Sequence, residues 1–385
     1  MNAAWESLFE GSLTLSLQQR TVDALAELPA RRGVLLFTDE HNQPIQLVQT
    51  ANIRMLSRSR LGQSQEDIPH RKADLAAVTR RLFYACCWNE FERHLLYQRL
   101  AHEVFGRQWK KWLALPRREY AAIDLHRPFP FFYLTGDVTT RSSVDLYGPF
   151  ANRRSAAQFC ESLNVAFELC RNSTLLDGGH PESCPYLQMQ TCHGLCCQAN
   201  GPSAYALQVK KAIYCANGHI SKAIADLCEQ MKQASSVLDF ETARLRKKQI
   251  EQLEALLRPD FSWTGRLGDV RILHIDQGDK IAPEGQKKKV QQYHIWLINS
   301  MGVRLLGAFA DHNAAEVKQI LKRADQPADY YPYALSRQEH LCTIGWFLYR
   351  KNRPGLWLNA AQSLPPVETI FNELTSKEAT ADNLK

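Results

Sequence analysis

Apolar residues cluster in two runs near the start of the chain, Gly33-Val-Leu-Leu-Phe-Thr and Pro44-Ile-Gln-Leu-Val, separated by the polar stretch Asp39-Glu-His-Asn-Gln. Runs of this length around a polar turn predict the two strands of a β-hairpin. The periodicity then changes. Asn52-Ile-Arg-Met-Leu-Ser-Arg predicts the start of a helix, Asp74 to Leu82 a further helix, Leu82-Phe-Tyr-Ala-Cys-Cys-Trp a strand, and Glu90 to Phe105 another helix. Upstream, Leu8, Leu13, Leu15, Leu17, Val22, Leu25 and Leu28 stand among polar residues and predict one or two short amphipathic helices.

Farther along, Phe129-Pro-Phe-Phe-Tyr-Leu-Thr predicts a strand. Val144-Asp-Leu-Tyr-Gly-Pro-Phe turns at Gly148-Pro149 into a helix from Ser155 to Leu169, with Ala156, Phe159, Leu163, Phe167 and Leu169 on its apolar face. From Ser221 two helices follow. Ile224, Leu227, Cys228 and Met231 fall on one face of the first, and Phe240, Ala243, Ile250, Leu253 and Leu257 share a face of the second. Asp239 is placed to cap that second helix and Pro259 to stop it. The last third predicts a strand at Gly268-Asp-Val-Arg-Ile-Leu-His-Ile-Asp and a polar loop from Gln277 to Lys289. A hairpin around Ser300-Met-Gly, helices over Ala314–Arg323 and Ser336–Arg350, and a disordered tail after Thr375 complete it. The fold class is therefore α/β in the broad sense, α+β in detail. The domains are a helical lead-in (1–29), a small α/β unit (30–128), a strand with a cysteine-rich module (129–220), a helical hairpin (221–258) and an α+β region (259–385).

Composition adds little to this for the bulk of the chain: 385 residues, 45% hydrophobic and 23% charged, are ordinary globular proportions. No apolar run is long enough to cross a bilayer, and Met1-Asn-Ala-Ala-Trp-Glu lacks the basic and apolar regions of a secretion signal. A cytoplasmic protein with no membrane partner is expected. The net charge of +7 favours polyanionic partners. Residues 106–128 interleave Arg107, Lys110, Lys111, Arg117, Arg118 and Arg127 with Trp109, Trp112 and Tyr120. Such a mixture suits phosphate contact with base stacking, although two tryptophans three apart on a helix equally suit anchoring in a core while the charges stay solvated.

Cysteines change the picture more. In a reducing compartment the eleven of them do not form a disulfide framework, and Cys170, Cys184, Cys192 and Cys196 lie with thirteen, seven and three residues between them. Four thiolates in so short a span suit a soft site, either zinc with four sulfurs or a 4Fe-4S cluster with one thiolate per iron. The bare pattern does not choose, although paired CxxC knuckles typical of zinc are missing. Cys86, Cys87, Cys160, Cys197, Cys215, Cys228 and Cys342 read as packing thiols, with Cys197 a competitor to Cys196.

The stretch Leu169-Cys-Arg-Asn-Ser through Ser183-Cys-Pro-Tyr-Leu-Gln-Met-Gln-Thr-Cys-His-Gly-Leu-Cys resembles the Cys-x-Asn-Ser and Arg-Pro-Cys-Leu-x-Tyr-Gln-Ile-Gly-Arg-Cys-x-x-Pro-Cys segments of the UvrC excinuclease family. Thr191 stands for a basic residue and Leu195 for a proline. That resemblance implies an iron–sulfur cluster on the four cysteines, with zinc the alternative. Leu-Asp-Phe-Glu-Thr-Ala-Arg-Leu-Arg-Lys-Lys-Gln-Ile-Glu-Gln-Leu resembles the UVR motif, a hairpin that pairs with its counterpart in a UvrB-type partner, which implies partner contacts from Phe240, Ala243, Ile250 and Leu253.

The front unit resembles the GIY-YIG nuclease domain of the same family, whose opening strands run Gly-Val-Tyr and Tyr-Ile-Gly. Here these read Gly33-Val34-Leu35 and Gln46-Leu47-Val48, followed by Thr50-Ala51-Asn52-Ile53. The family's chemistry uses two tyrosines, an arginine and a metal-holding glutamate. These positions fall on Leu35, Gln46, Leu56 and Tyr97, so no catalytic residue is retained. Among neighbours, Glu92 lies five residues before Tyr97, about 140° around the helix, and would point away. Arg54, Arg58, Arg60, Lys110 and Lys111 are the candidate DNA contacts. Too few residues follow the hairpin for that family's RNase H-like domain and terminal DNA-binding repeats. The resemblance implies a DNA-binding or scaffolding protein of nucleotide excision repair or damage response without GIY-YIG catalysis. The rivals are an active metal-dependent endonuclease with relocated residues and a zinc-stabilised adaptor.

Overall fold

The computed structural model describes residues 4–15, 24–62, 75–111, 113, 118–139, 141–177, 181–189, 192–198, 200–282, 288–310, 313–326 and 336–382. Each of its strand pairs is antiparallel, as an α+β chain requires.

The front unit is built from β1 (Gly11–Thr14), β2 (Gly33–Thr38), β3 (Pro44–Thr50), α1 (Ile53–Leu61), α2 (Leu75–Val78), β4 (Arg81–Cys86) and α3 (Glu90–Phe105), with sheet order β1-β4-β2-β3. The expected hairpin is present. The lead-in differs from expectation: it forms 3₁₀ turns at Ala4–Leu8 and Ala24–Glu27 and the edge strand β1, because β4 offers an unpaired edge on which Leu13 sits opposite Leu82. Leu17 and Val22 lie outside the described residues. The predicted Asp74–Leu82 helix is cut to α2, since Leu82 and Phe83 are buried in the sheet. Asn52 and Asn89 cap α1 and α3 by accepting from Met55 N and Glu92 N. β2 is buried along its whole length because both sheet faces are covered. Leu35 and Phe37 pack with Ile53 and Leu61 of α1, whereas Val34 and Leu36 pack with Tyr97, Leu100 and Ala101 of α3.

The middle unit contains β5 (Tyr120–Asp124), β6 (Phe132–Thr135), β7 (Val144–Gly148), α4 (Arg153–Ala166), α5 (Ser173–Asp177), α6 (Pro185–Gln188), α7 (Gly201–Ala216), α8 (Ile220–Ser236), α9 (Phe240–Glu254) and β8 (Gly265–Arg266), with sheet order β6-β5-β7-β8. β5, which the basic residues around it had hidden, is the sheet's centre. Its Ala121 and Ile123 join Phe132, Tyr147, Phe159 and Leu163 in one core, which Leu253 of α9 also enters.

The C-terminal unit comprises β9 (Arg271–Ile281), β10 (Val290–Asn299), β11 (Val303–Ala310), α10 (Ala314–Lys322), α11 (Arg337–Tyr349), β12 (Leu356–Asn359) and α12 (Val367–Asp382), with sheet order β11-β10-β9-β12. Two expectations are corrected. β9 runs on through the predicted loop to Ile281, which pairs with Val290, and the tail is helical, held where Lys377 Nζ donates to the carbonyls of Arg353 and Gly355. One sheet face packs on α10 and α12, the other on α11 and α3.

From His340 to Leu348 helix α11 is buried at every position but Trp346, and such a helix needs partners on most of its sides. Ile344, Phe347 and Leu348 meet the C-terminal sheet and Phe91 of α3, and Thr343 accepts a buried hydrogen bond from Gln98 at 2.6 Å. On its far side the hydroxyl of Tyr349 donates to Pro149 O. Gly345 leaves room for Arg118, whose side chain lies 3.0 Å from where a Cβ would stand and goes on to donate to Phe150 O and Ala151 O. All three units thus meet on one helix.

At that junction β9 carries a buried polar pair. His274 is 0% and Asp276 9% exposed, with His274 Nε2 and Asp276 Oδ2 3.7 Å apart and neither otherwise hydrogen-bonded. His274 Nδ1 faces Leu356 O at 3.1 Å, which makes Nδ1 the protonated nitrogen and Nε2 the acceptor. Burial raises Asp276 to about 6 against the opposing pull of the Gln277 N–H and of Lys377, and pushes His274 down to about 3.

Candidate functional site

Helix α4 ends at Ala166, three residues short of expectation, because Glu168 takes a left-handed backbone (φ +53°) that turns the chain towards the cysteines. Cys170 is pinned at once: its N–H donates to the Tyr205 hydroxyl at 2.9 Å, and that hydroxyl donates to Pro130 O at 2.8 Å, so α7, β6's approach and the first cysteine are tied together. Cys184 stands at the start of α6 with its carbonyl accepting from Leu187 N and Gln188 N. Cys192 is followed by Gly194 in a left-handed turn, and Cys196 sits in the 3₁₀ turn Leu195–Cys197. That turn is pressed on the start of α7: a Cβ on Gly201 would stand 1.6 Å from Leu195 O.

Two of the thiols accept backbone N–H groups, Cys170 Sγ from Asn172 N and Cys192 Sγ from Gly194 N, both at 3.4 Å. Such donors favour thiolate and are a common feature around sulfur-ligated metal. Burial raises the Cys170 thiol, the Asn172 N–H opposes this, and Cys184 and Cys192 lie close enough to add to the rise. Burial pushes Cys196 up to about 12, with Cys197 next and Cys170 and Cys192 contributing. The four cysteines named by spacing therefore share one locality, and their soft donor set fits a zinc ion or a cubane cluster. Among the described residues no group of three or more His, Cys, Asp or Glu is already closed around a point that could hold a metal. Cys197 is exposed, 3.8 Å from Cys196 Sγ. Two supports had no signal in the spacing: Tyr205, and the contact of His193 Nδ1 with Glu168 Oε2 that closes the cysteine loop onto the end of α4.

The hairpin follows. α8 and α9 pack on each other, with Asp239 accepting from Thr242 N as the cap. The apolar stripe on α9 is split. Ile250 and Leu253 are buried, Leu253 within the core beneath α4, so the surface they would offer a partner is already used inside the chain. Ala243 is half-buried. Phe240 is 67% exposed and is joined at the tip by Val237 at 74% and Leu238 at 72%.

The front positions divide between the two faces of their sheet. Leu35 and Leu56 lie in one apolar cluster, with Val48 beside them, and half-buried Gln46 is on the same strand two residues away. Tyr97 packs in the cluster on the opposite face and its hydroxyl faces Leu47 O at 3.4 Å. Glu92 accepts from Trp88 N at 2.8 Å, and burial raises its carboxyl. Of the basic candidates, Arg54 is engaged within the fold, Nε donating to Leu28 O at 2.7 Å, while Arg58, Arg60, Lys110 and Lys111 are exposed. Trp109 is buried and stacks on His102 at 4.1 Å, the core-anchoring reading; Trp112 lies outside the described residues. No helix among the described residues is long and apolar enough to cross a membrane.

Comparison with known proteins shows similarity to UvrC and Cho proteins. Residues 120–215 match the family described as UvrC/Cho excinuclease, middle domain. The chain is 25% identical over 210 residues to excinuclease Cho of Shigella flexneri and to that of Escherichia coli K12, covering 53% of this chain and 68% of each relative. It is 26% identical over 263 residues to UvrABC system protein C of Maricaulis maris, covering 66% of this chain and 40% of that protein. No solved structure matches the chain.

Proposed function

With a UvrC-like chain as the premise, we propose that it serves nucleotide excision repair, or a related damage response, as a DNA-binding scaffold that does not cut through its front unit. The observation that carries this is the division of the front positions. Leu35 and Leu56 are packed in an apolar cluster and Tyr97 lies across the sheet, so the family's four positions do not bring hydroxyls, cation and carboxylate together among the described residues. The relatives named excinuclease Cho and UvrABC system protein C support that pathway, and DNA and a UvrB-type protein are the partners it calls for.

The part most fully kept is the cysteine module. Cys170, Cys184, Cys192 and Cys196 would hold a 4Fe-4S cluster, with zinc the alternative. When bound, such a group supplies four metal–thiolate bonds that cross-link the loop after α4 to the start of α7. Tyr205 and the Glu168–His193 pair hold that loop in place from the protein side. The hairpin tip of Val237, Leu238 and Phe240 would meet the partner, since the buried Ile250 and Leu253 cannot.

Purified protein incubated with Mg²⁺ or Mn²⁺ on nicked, flap and damaged duplexes is expected to bind without cleaving. Cleavage abolished by Arg58→Ala or Glu92→Gln would overturn the reading in favour of a nuclease with relocated residues. Anaerobic purification is expected to give brown protein with a broad absorption near 400 nm. Colourless protein with stoichiometric zinc and no affinity for DNA would establish the adaptor instead.

A further inference from the structure

Between the cysteine loop and α9 lies a cleft of about 360 Å³ that the motifs did not point to. One wall comes from the end of α4 and the cysteine loop, with Arg171 and His193; the other is the outer face of α9, with Thr242, Arg244 and Lys248. We propose that this cleft receives the sugar–phosphate backbone of a nucleic acid, a site that rests on the DNA-binding reading above and locates it at the cysteine module rather than on the front unit.

Three observations support the assignment. First, the cations are arranged for phosphate. Arg171 is laid over the Tyr186 ring at 4.0 Å, which orients its guanidinium before any ligand arrives. Arg244 and Lys248 are one helical turn apart, about 6 Å along the axis, on the facing wall. Second, both carboxylates at the cleft have partners of their own: Glu168 contacts His193, and Glu241 lies 3.6 Å from Arg244 in an exposed pair that phosphate can displace at little cost. Third, exposed Lys247 flanks Arg244 and Lys248 on the helix surface, about 60° round from Arg244, so the cations form a band that several phosphates can occupy, whereas a single acidic side chain would use only one end of it. Asn164 and Gln249 at the floor are satisfied within the fold, by Phe132 and by Arg246, and serve as a fixed base.

The test is fluorescence anisotropy of the full chain with a labelled DNA strand and its duplex, between about 50 and 200 mM salt. Arg244→Ala with Lys248→Ala is expected to weaken binding about tenfold or more and to reduce the slope of log affinity against log salt by about two, and Arg171→Gln by about one more. Lys318→Ala with Lys322→Ala on exposed α10, the same loss of charge elsewhere, is expected to change binding less than about twofold. A wild type that binds while the cleft pair matches the α10 pair overturns the cleft alone. Polyglutamate that binds the wild type as tightly as DNA, and is lost in the cleft pair, also overturns it in favour of an acidic peptide. A wild type with no affinity for DNA removes the reading on which the cleft rests. Should the Ala pair melt early, Arg244→Gln with Lys248→Gln repeats the measurement without losing helix-forming bulk.

Discussion

Replacing Asp276 by Asn changes one buried group where the C-terminal sheet meets the front unit, and its effect on stability is set by pH. In the fold burial holds the carboxyl near 6, against a reference value of 3.8. An acid whose folded value is raised is stabilised as the neutral form: its contribution is fully present below about 4 and is lost as pH rises through 6. The difference of about two units corresponds to ~3 kcal/mol at most. The neutral acid leaves no uncompensated charge beside the buried His274 Nε2, which lies 3.7 Å from Oδ2, beyond hydrogen-bond reach. The amide of Asn is likewise uncharged, and its oxygen still accepts from Gln277 N. Asp276→Asn is therefore expected to match the wild type near pH 3.5 and to exceed it by ~2–3 kcal/mol at pH 8. Urea unfolding followed by tryptophan fluorescence reads this, because the Trp357 ring lies 4.0 Å from that of His274. The reasoning is refuted if the difference between the two proteins is independent of pH, or if Asn is the less stable at pH 8. Ala at 276 would remove the acceptor of the Gln277 N–H and is expected to be ~1 kcal/mol less stable than Asn at either pH.

Three further outcomes follow from the other sites. Leu238 holds a left-handed backbone (φ +60°) while exposed, so Leu238→Asn combined with Phe240→Ser is expected to abolish capture of a UvrB-type protein in pull-downs while keeping or raising the melting temperature by relieving ~1 kcal/mol of strain. Alanine at Cys170, Cys184, Cys192 or Cys196 is expected to remove the absorption near 400 nm, whereas Cys197→Ala keeps it; a spectrum lost with Cys197 and kept without Cys196 would exchange their roles. Gln98→Ala, which empties the buried site opposite Thr343, is expected to destabilise the chain by ~2–3 kcal/mol in chemical denaturation, and a change under ~0.5 kcal/mol would show that α3 and α11 are not coupled there.

How far the sequence reveals this molecule depends on whether each signal is local. The β2–β3 hairpin, α3, α8 and α9 were legible because turn residues, caps and a 3.6-residue period are written within the element itself, as with Asn89 before Glu90 and Asp239 before Phe240. The missed strands β1, β5 and β12 are short, and each is a strand only because an edge elsewhere in the chain pairs with it. The helical tail was misread for the same reason: after Thr375 it is polar in sequence, and it continues a helix whose Val367, Ile370 and Leu374 are buried by a sheet far away in the chain. At the candidate site the cysteines declared themselves by spacing. Tyr205 and the Glu168–His193 contact did not, since a single tyrosine, glutamate or histidine carries no pattern. The stripe on α9 shows the opposite error, a correct periodicity that could not say which half of it the chain itself would cover.

The seating of helix α11 against all three units has a consequence for how this chain can be divided. Severing it from the front unit would bare Phe91 and Leu95, and severing it from the middle unit would strip Tyr349 from Pro149 and Arg118 from its seat at Gly345. Expressed separately, each part would present a sticky face to its neighbours in solution. A shortened version ending before Ser336 would be a client for chaperones and proteases rather than a set of working modules. Inheritance of the cysteine loop and the hairpin is thereby tied to a segment that touches neither, and damage to α11 would silence both without altering a single residue of either.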